Sequence, residues 1–154
     1  MTTLAPAVDP RVIALAHYAG RAILEKVLTG YGLTFQQSVT LRVVAVAGGP
    51  VDRDGLVDQV VESLKVEPAD IRTVVEELVS AELVEPDPGA PARLRITDAG
   101  RESFTRSAAE TAPVTARIYA GIPAEDLVAA GRVLTLITER ANAELAALQA
   151  VEAA

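Results

Sequence analysis

The sequence predicts a mainly α-helical fold that carries a small β-wing. Three observations lead there. Between residues 34 and 80, three short segments each open on a helix-starting signal and carry apolar residues at helical spacing. A proline-rich turn at residues 86–91 leads into a stretch where arginines alternate with apolar residues. Long helical patterns flank this block, with more apolar residues than the small domain between them needs.

Each element has its own signals. Residues 1–8 read as a loose terminus. Asp9 and Pro10 then supply an N-cap and a proline for the first helical turn. A helix follows from Arg11 to about Thr29, with Ile13, Leu15, Ile23, Leu24 and Leu28 on a wide apolar arc that suggests a partner subunit. Gly30 and Gly32 stop it. Thr34 and Gln37 fit a capping box for a second helix through Val46, which ends at Gly48-Gly49-Pro50. Asp52 caps a third, with Leu56, Val57, Val60, Val61 and Leu64 as its stripe. Glu67-Pro68 opens a fourth, striped by Ile71, Val74, Val75, Leu78 and Val79, after a tight connection expected to be four residues long.

Leu83-Val84-Glu85 reads as one short strand and Ala92 to Ile96 as another. These make a two-stranded wing with residues 86–91 as its tip. Leu94 and Ile96 share one face of the second strand; Arg93 and Arg95 share the other. Thr97-Asp98 caps a further helix. Pro113 is expected to kink or break it, and Gly121 to end the segment that follows. A last helix of about four to six turns restarts at Pro123, with Leu127, Leu134, Ile137, Leu145 and Leu148 on a stripe. The fold class is therefore mainly α: a winged helix-turn-helix domain at residues 33–104, flanked by a helix over residues 10–32 and helices over residues 105–154, all in one domain spanning 1–154.

Composition narrows the function. The chain of 154 residues has no cysteine, which excludes disulfides and thiolate metal sites, and a single histidine, which argues against a histidine-cluster metal site. No metal and no cofactor is expected. Asp52, Asp54 and Asp58 read as a cap and a solvated face. No long apolar run suggests a membrane span, and the first residues lack the basic and apolar parts of a signal peptide, so a cytoplasmic protein is expected. No nucleophile-elbow, phosphate-loop or zinc-protease motif is present, so no enzyme is expected. Net charge is −7. Between residues 33 and 104, seven basic side chains face thirteen acidic ones, so this block alone carries −6.

The order of elements resembles that of the MarR (multiple antibiotic resistance regulator) family over nearly the whole chain. The most specific stretch is residues 78–100, where Leu78 is followed by Leu83-Val84, a turn, a strand and Ile96-Thr97-Asp98-Ala99-Gly100. Gly121-Ile122-Pro123, followed by Glu125 and Leu127, is similar to the family's link into its final helix. The resemblance implies a cytoplasmic, homodimeric regulator of transcription, most often a repressor. Its first and last helices would interlock with those of a second copy, through Ile13, Leu127, Leu134, Ile137 and Leu145. It implies a pseudo-palindromic double-stranded DNA operator, with the helix from Pro68 in the major groove and the wing beside a minor groove. It also implies release by a small lipophilic or phenolic ligand.

The candidate DNA contacts are Arg72 and Thr73 early in the reading helix, Arg93 and Arg95 on the wing strand, and Arg53 and Lys65 at the ends of the helix before it. The alternative for Arg72 is an i,i+4 pair with Glu76. The candidate ligand residues are His17, Tyr18, Tyr31, Phe35, Arg42 and Tyr119, whose rings and few polar groups suit an amphipathic pocket or, alternatively, plain interface packing. The chain departs from the family pattern in three places. Thr73, Glu77 and Ala81 stand where basic residues are usual. Glu82 stands where glycine is usual, and the wing tip lacks its arginine. These departures motivate a second reading: a winged-helix dimer that has lost DNA binding and holds a small molecule or a protein partner, or uses its cleft for chemistry.

Overall fold

The structure is a computed structural model and describes residues 6–154. The expected loose terminus and the reading of the first residues as lacking a signal peptide fall largely on residues 1–5, outside the described residues. The elements are α1 (Pro10–Thr29), α2 (Phe35–Val46), β1 (Val51–Asp52), α3 (Arg53–Leu64), α4 (Pro68–Ser80), β2 (Val84–Asp87), β3 (Ala90–Ile96), α5 (Asp98–Tyr119) and α6 (Ala124–Glu152). The chain divides into two compact units, with the boundary between Val114 and Thr115 inside α5.

Local chemistry starts the helices of the first unit. Asp9 accepts the amide of Val12 at 2.8 Å, and Pro10 fills the first turn, where its missing N–H is not needed. At α2 the capping box is complete: the Thr34 hydroxyl oxygen accepts from the Gln37 amide at 3.1 Å, and the Gln37 side-chain oxygen accepts from the Thr34 amide at 3.0 Å. Asp52 accepts the Gly55 amide at 2.9 Å to open α3. Glu67 gives α4 no side-chain cap, so Pro68 alone marks that start.

One core closes the unit. Leu28 of α1, Leu41 of α2, Val60 of α3, Ile71 and Leu78 of α4 and Leu94 of β3 are almost wholly buried. Each sits at an apolar position of an amphipathic pattern, so burying the stripes fixes which faces of the helices stay outside.

The sheet is three-stranded and antiparallel, in the order β1-β3-β2. This corrects the expected two-stranded wing. Val51 pairs with Leu94 and Asp52 with Arg93, and two residues are too few to leave an alternation signal in the sequence. The expected tip also shrinks. Strand β2 runs on through Pro86 to Asp87, and β3 begins at Ala90, so only Pro88 and Gly89 form the turn. Proline is tolerated because β2 is an edge strand, and its register slips between Pro86 and Asp87.

Three further expectations are corrected. The link between α3 and α4 has three residues, Lys65 to Glu67, because Lys65 turns the chain at once in the left-handed region (φ 54°). Pro113 does not break α5, which runs 22 residues through it. A proline removes one backbone bond and crowds the carbonyl one turn earlier, a local cost that a long helix can absorb by bending. And α6 is 29 residues, about eight turns instead of four to six. No proline interrupts it after Pro123, and Gly131 is absorbed within it. The expected stop at Gly121 is present, at φ 79°.

In the second unit, α6 buries no residue within the chain. Leu134, Leu136, Ile137, Leu145 and Leu148 all lie exposed. No helix among the described residues is long and apolar enough to cross a membrane.

Candidate functional site

Burying Ile71, Val74, Val75 and Leu78 turns the opposite side of α4 outward. That side carries Ala69, Asp70, Arg72, Thr73, Glu76 and Glu77. With α3 before it and a three-residue link, α3 and α4 form a helix-turn-helix, and α4 presents its polar face to whatever the protein meets.

The expected DNA contacts are now distinguishable by their partners. Arg72 is exposed and forms none of the ion pairs found among the described residues. The alternative pairing with Glu76 is not made; Arg53 instead binds one oxygen of that carboxylate across the helix-turn-helix, Nη1 to Oε1. Thr73 is exposed and donates its hydroxyl to the Ala69 carbonyl of its own helix at 3.1 Å. Lys65 is paired with Glu62 at 2.8 Å. On the wing, the expected alternation is present: Leu94 is buried while Arg93 and Arg95 are exposed. Their roles differ all the same. Arg95 lies opposite Glu85 in the β2–β3 register and binds its Oε1 at 2.6 Å, whereas Arg93 faces Asp52 in register but makes no ion pair with it.

Of the candidate ligand residues, the structure brings together His17 and Phe35. They line a cleft of about 300 Å³ with Arg21, Gln36, Leu64 and Val66, among α1, α2 and the end of α3. Tyr18 meets the His17 ring edge-on at 5.9 Å but is largely exposed. Tyr31 is engaged elsewhere: its hydroxyl donates to Glu110 on α5 at 2.9 Å. That hydrogen bond holds the phenol above its ordinary value of 10, helped by desolvation and the carboxylate's charge and opposed by Arg106. Arg42 is exposed on α2 and is not part of the cleft lining, and Tyr119 is exposed at the end of α5.

The residue missed from the sequence is Arg21. Its guanidinium sits 4.4 Å from the centre of the Phe35 ring, and its Nε donates to Glu25 at 2.8 Å. The signal was available. Arg21 lies one helical turn after His17 and one before Glu25, on the same face as both.

Ile13 and Leu127 are partly exposed, and Leu134, Ile137 and Leu145 remain between 36 and 42% exposed.

No protein-family model and no curated protein matches the sequence. Solved structures do. The chain is similar to CouR from Rhodococcus jostii RHA1 bound to p-coumaroyl-CoA, with a TM-score of 0.69 and 21% identity over 82% of this chain and 89% of that one. It is similar to a MarR-family protein of Mycobacterium tuberculosis in complex with DNA, with a TM-score of 0.65 and 21% identity over 86% and 98%. It is also similar to ligand-free NadR, with a TM-score of 0.68 and 17% identity over 85% and 95%. The architecture defines a winged helix-turn-helix protein. More narrowly, the fold is the MarR type, six helices with a small three-stranded sheet.

Proposed function

We propose that this chain is a ligand-responsive, DNA-binding regulator of transcription, a repressor acting in the cytoplasm as a homodimer. The observation that carries the reading is the outward face of α4, where Arg72 stands exposed and unpaired at the front of a helix-turn-helix. The N-terminal part of such a helix is where base edges are met, and a free guanidinium suits guanine O6 and N7. Arg93 supplies a second unpaired cation on the wing. Arg53, Lys65 and Arg95 serve as phosphate contacts only by leaving or sharing a carboxylate, and Thr73 adds a hydroxyl beside Arg72.

The exposed apolar face of α6, with Ile13 of α1, supports the dimer. A second copy would cover Leu127, Leu134, Ile137 and Leu145 and set two α4 helices on a pseudo-palindromic site. The cleft at His17 and Phe35 suits a small lipophilic or phenolic effector, and Tyr18, Tyr31, Arg42 and Tyr119 stay candidate ligand residues from the sequence alone. That a similar structure was solved with DNA and another with p-coumaroyl-CoA favours both halves of the reading.

Fluorescence anisotropy with a labelled fragment of the DNA upstream of the protein's own gene, across a salt series and beside an unrelated fragment, tests it. Tight, sequence-dependent binding that falls with salt is expected. No binding to either fragment at low salt would overturn the reading in favour of a winged-helix dimer that no longer uses DNA.

A further inference from the structure

We infer that Glu76 is a base-reading residue: its carboxylate selects a cytosine in the operator, close to the guanine selected by Arg72. The inference rests on the DNA-binding reading of α4 and adds to it the identity of what that helix recognises.

An exposed acid on a helix that meets DNA is repelled by phosphates unless its charge is compensated. Glu76 is compensated. The Arg53 guanidinium, from the first turn of α3, holds its Oε1, and the Glu76 side chain still keeps 64% of its surface open. The pair is neutral as a unit. It also fixes the carboxylate in place, because Arg53 is itself only 35% exposed and is anchored beside Val57 and Val75 in the hollow between α3 and α4. An ionised carboxylate has two oxygens and accepts several hydrogen bonds. Arg53 uses one oxygen, which leaves Oε2 to accept from a donor in the groove. Among the major-groove edges, cytosine N4 is the donor that pairs with Glu or Asp.

The neighbouring acid serves as an internal contrast. Glu77 has its Oε2 bound by the Gln37 side-chain amide at 2.7 Å, which ties it to the N-terminus of α2. Arg72, by contrast, lines the same hollow as Arg53 and Glu76. It precedes Glu76 by one helical turn, about 6 Å along the axis. With base pairs about 3.4 Å apart, the two side chains address positions about two base pairs apart. The recognised half-site therefore contains a guanine and, within about two base pairs, a cytosine.

The test is selection of binding sites from a randomised DNA pool by the full-length wild-type protein and by Glu76→Gln, Glu76→Ala and Glu77→Ala, followed by anisotropy on single-base variants of the selected site. Both side chains are exposed, so the three variants fold, and circular dichroism verifies it. The wild type and Glu77→Ala should select the same site, with one cytosine per half-site whose replacement weakens binding about tenfold or more. Glu76→Gln should exchange that cytosine for adenine, the base that glutamine reads through N6 and N7, and leave the other positions unchanged. Glu76→Ala should lose the preference there. Selection of an unchanged site by Glu76→Gln and Glu76→Ala would overturn the inference while leaving DNA binding intact. Failure of the wild type to enrich any sequence would overturn the regulatory reading, and this inference with it.

Discussion

Gln37 donates its side-chain amide to the Glu77 carboxylate at 2.7 Å, so the residue that completes the α2 capping box also ties down the outward helix of the helix-turn-helix. Glu77 is thereby a structural acid. Gln37→Glu keeps an oxygen for the Thr34 amide but sets one carboxylate against another. Relative to wild type, the variant loses the Gln37–Glu77 hydrogen bond and should be less stable at pH 7 by about 1 kcal/mol or less. Urea titration at pH 7 checks this; equal midpoints for variant and wild type would refute it.

Glu82 occupies the left-handed region at φ 59°, two residues before the start of β2. A side chain there costs about 1–2 kcal/mol relative to glycine, and glycine's extra freedom in the unfolded chain returns part of that. Its carbonyl, which accepts from the Thr97 hydroxyl at 2.6 Å, survives the substitution. Glu82→Gly should therefore stabilise the protein by about 1 kcal/mol, a rise of a few degrees in Tm for a chain of this size. A lower Tm in a thermal scan would contradict the strain.

Gly100 has no room for a side chain. A Cβ placed on it would lie 2.0 Å from the Leu83 carbonyl oxygen and 2.9 Å from Ile96 Cγ1. That carbonyl accepts from the Thr97 amide at 3.1 Å, while the Thr97 hydroxyl oxygen accepts from the Gly100 amide at 3.0 Å. Gly100→Ala forces the start of α5 away from the sheet and should cost about 3 kcal/mol or more. An unchanged midpoint in denaturant would mean that α5 can shift freely.

Arg72 and Arg95 should differ as DNA contacts. Arg72 has no carboxylate to leave, whereas Arg95 is held by Glu85. Arg72→Ala should weaken operator binding about tenfold or more and relax the preference at one base position. Arg95→Ala should act less and alike on all sequences, and the two together should abolish binding. Anisotropy on matched and mismatched sites separates these cases; equal effects of the single variants would mean that the pairing seen here does not govern binding.

Leu134 is 42% exposed on α6. Leu134→Glu should convert a dimer to a monomer or unfold it, read by light scattering and circular dichroism. An unchanged molar mass would remove α6 from the interface.

The helix starts were legible because they are local. Asp9, Thr34 with Gln37, and Asp52 each bond an amide three residues on, and that spacing is written in the sequence. The winged helix-turn-helix order was legible for the same reason, as was the outward pairing of Arg93 and Arg95. Strand β1 was not, because two residues carry no period and exist as a strand only through β3. The continuity of α5 through Pro113 and the full length of α6 were underestimated where single residues were weighed against whole helices. At the site, the sequence offered Arg72–Glu76, a pairing four residues apart. The fold chose Arg53–Glu76, 23 residues apart, and Gln37–Glu77, 40 apart. Such partners follow from how α2, α3 and α4 stack, which no window of sequence contains.

The ion pairs bear on how such a protein would search for its site. Of the seven basic side chains between residues 33 and 104, Arg53, Lys65 and Arg95 are already matched with carboxylates. Sequence-independent attraction to DNA grows with the number of phosphates a protein neutralises. With few cations to spare, this one would linger little on bulk chromosome and exchange rapidly between stretches of it. It would settle only where bases, and not charge alone, hold it.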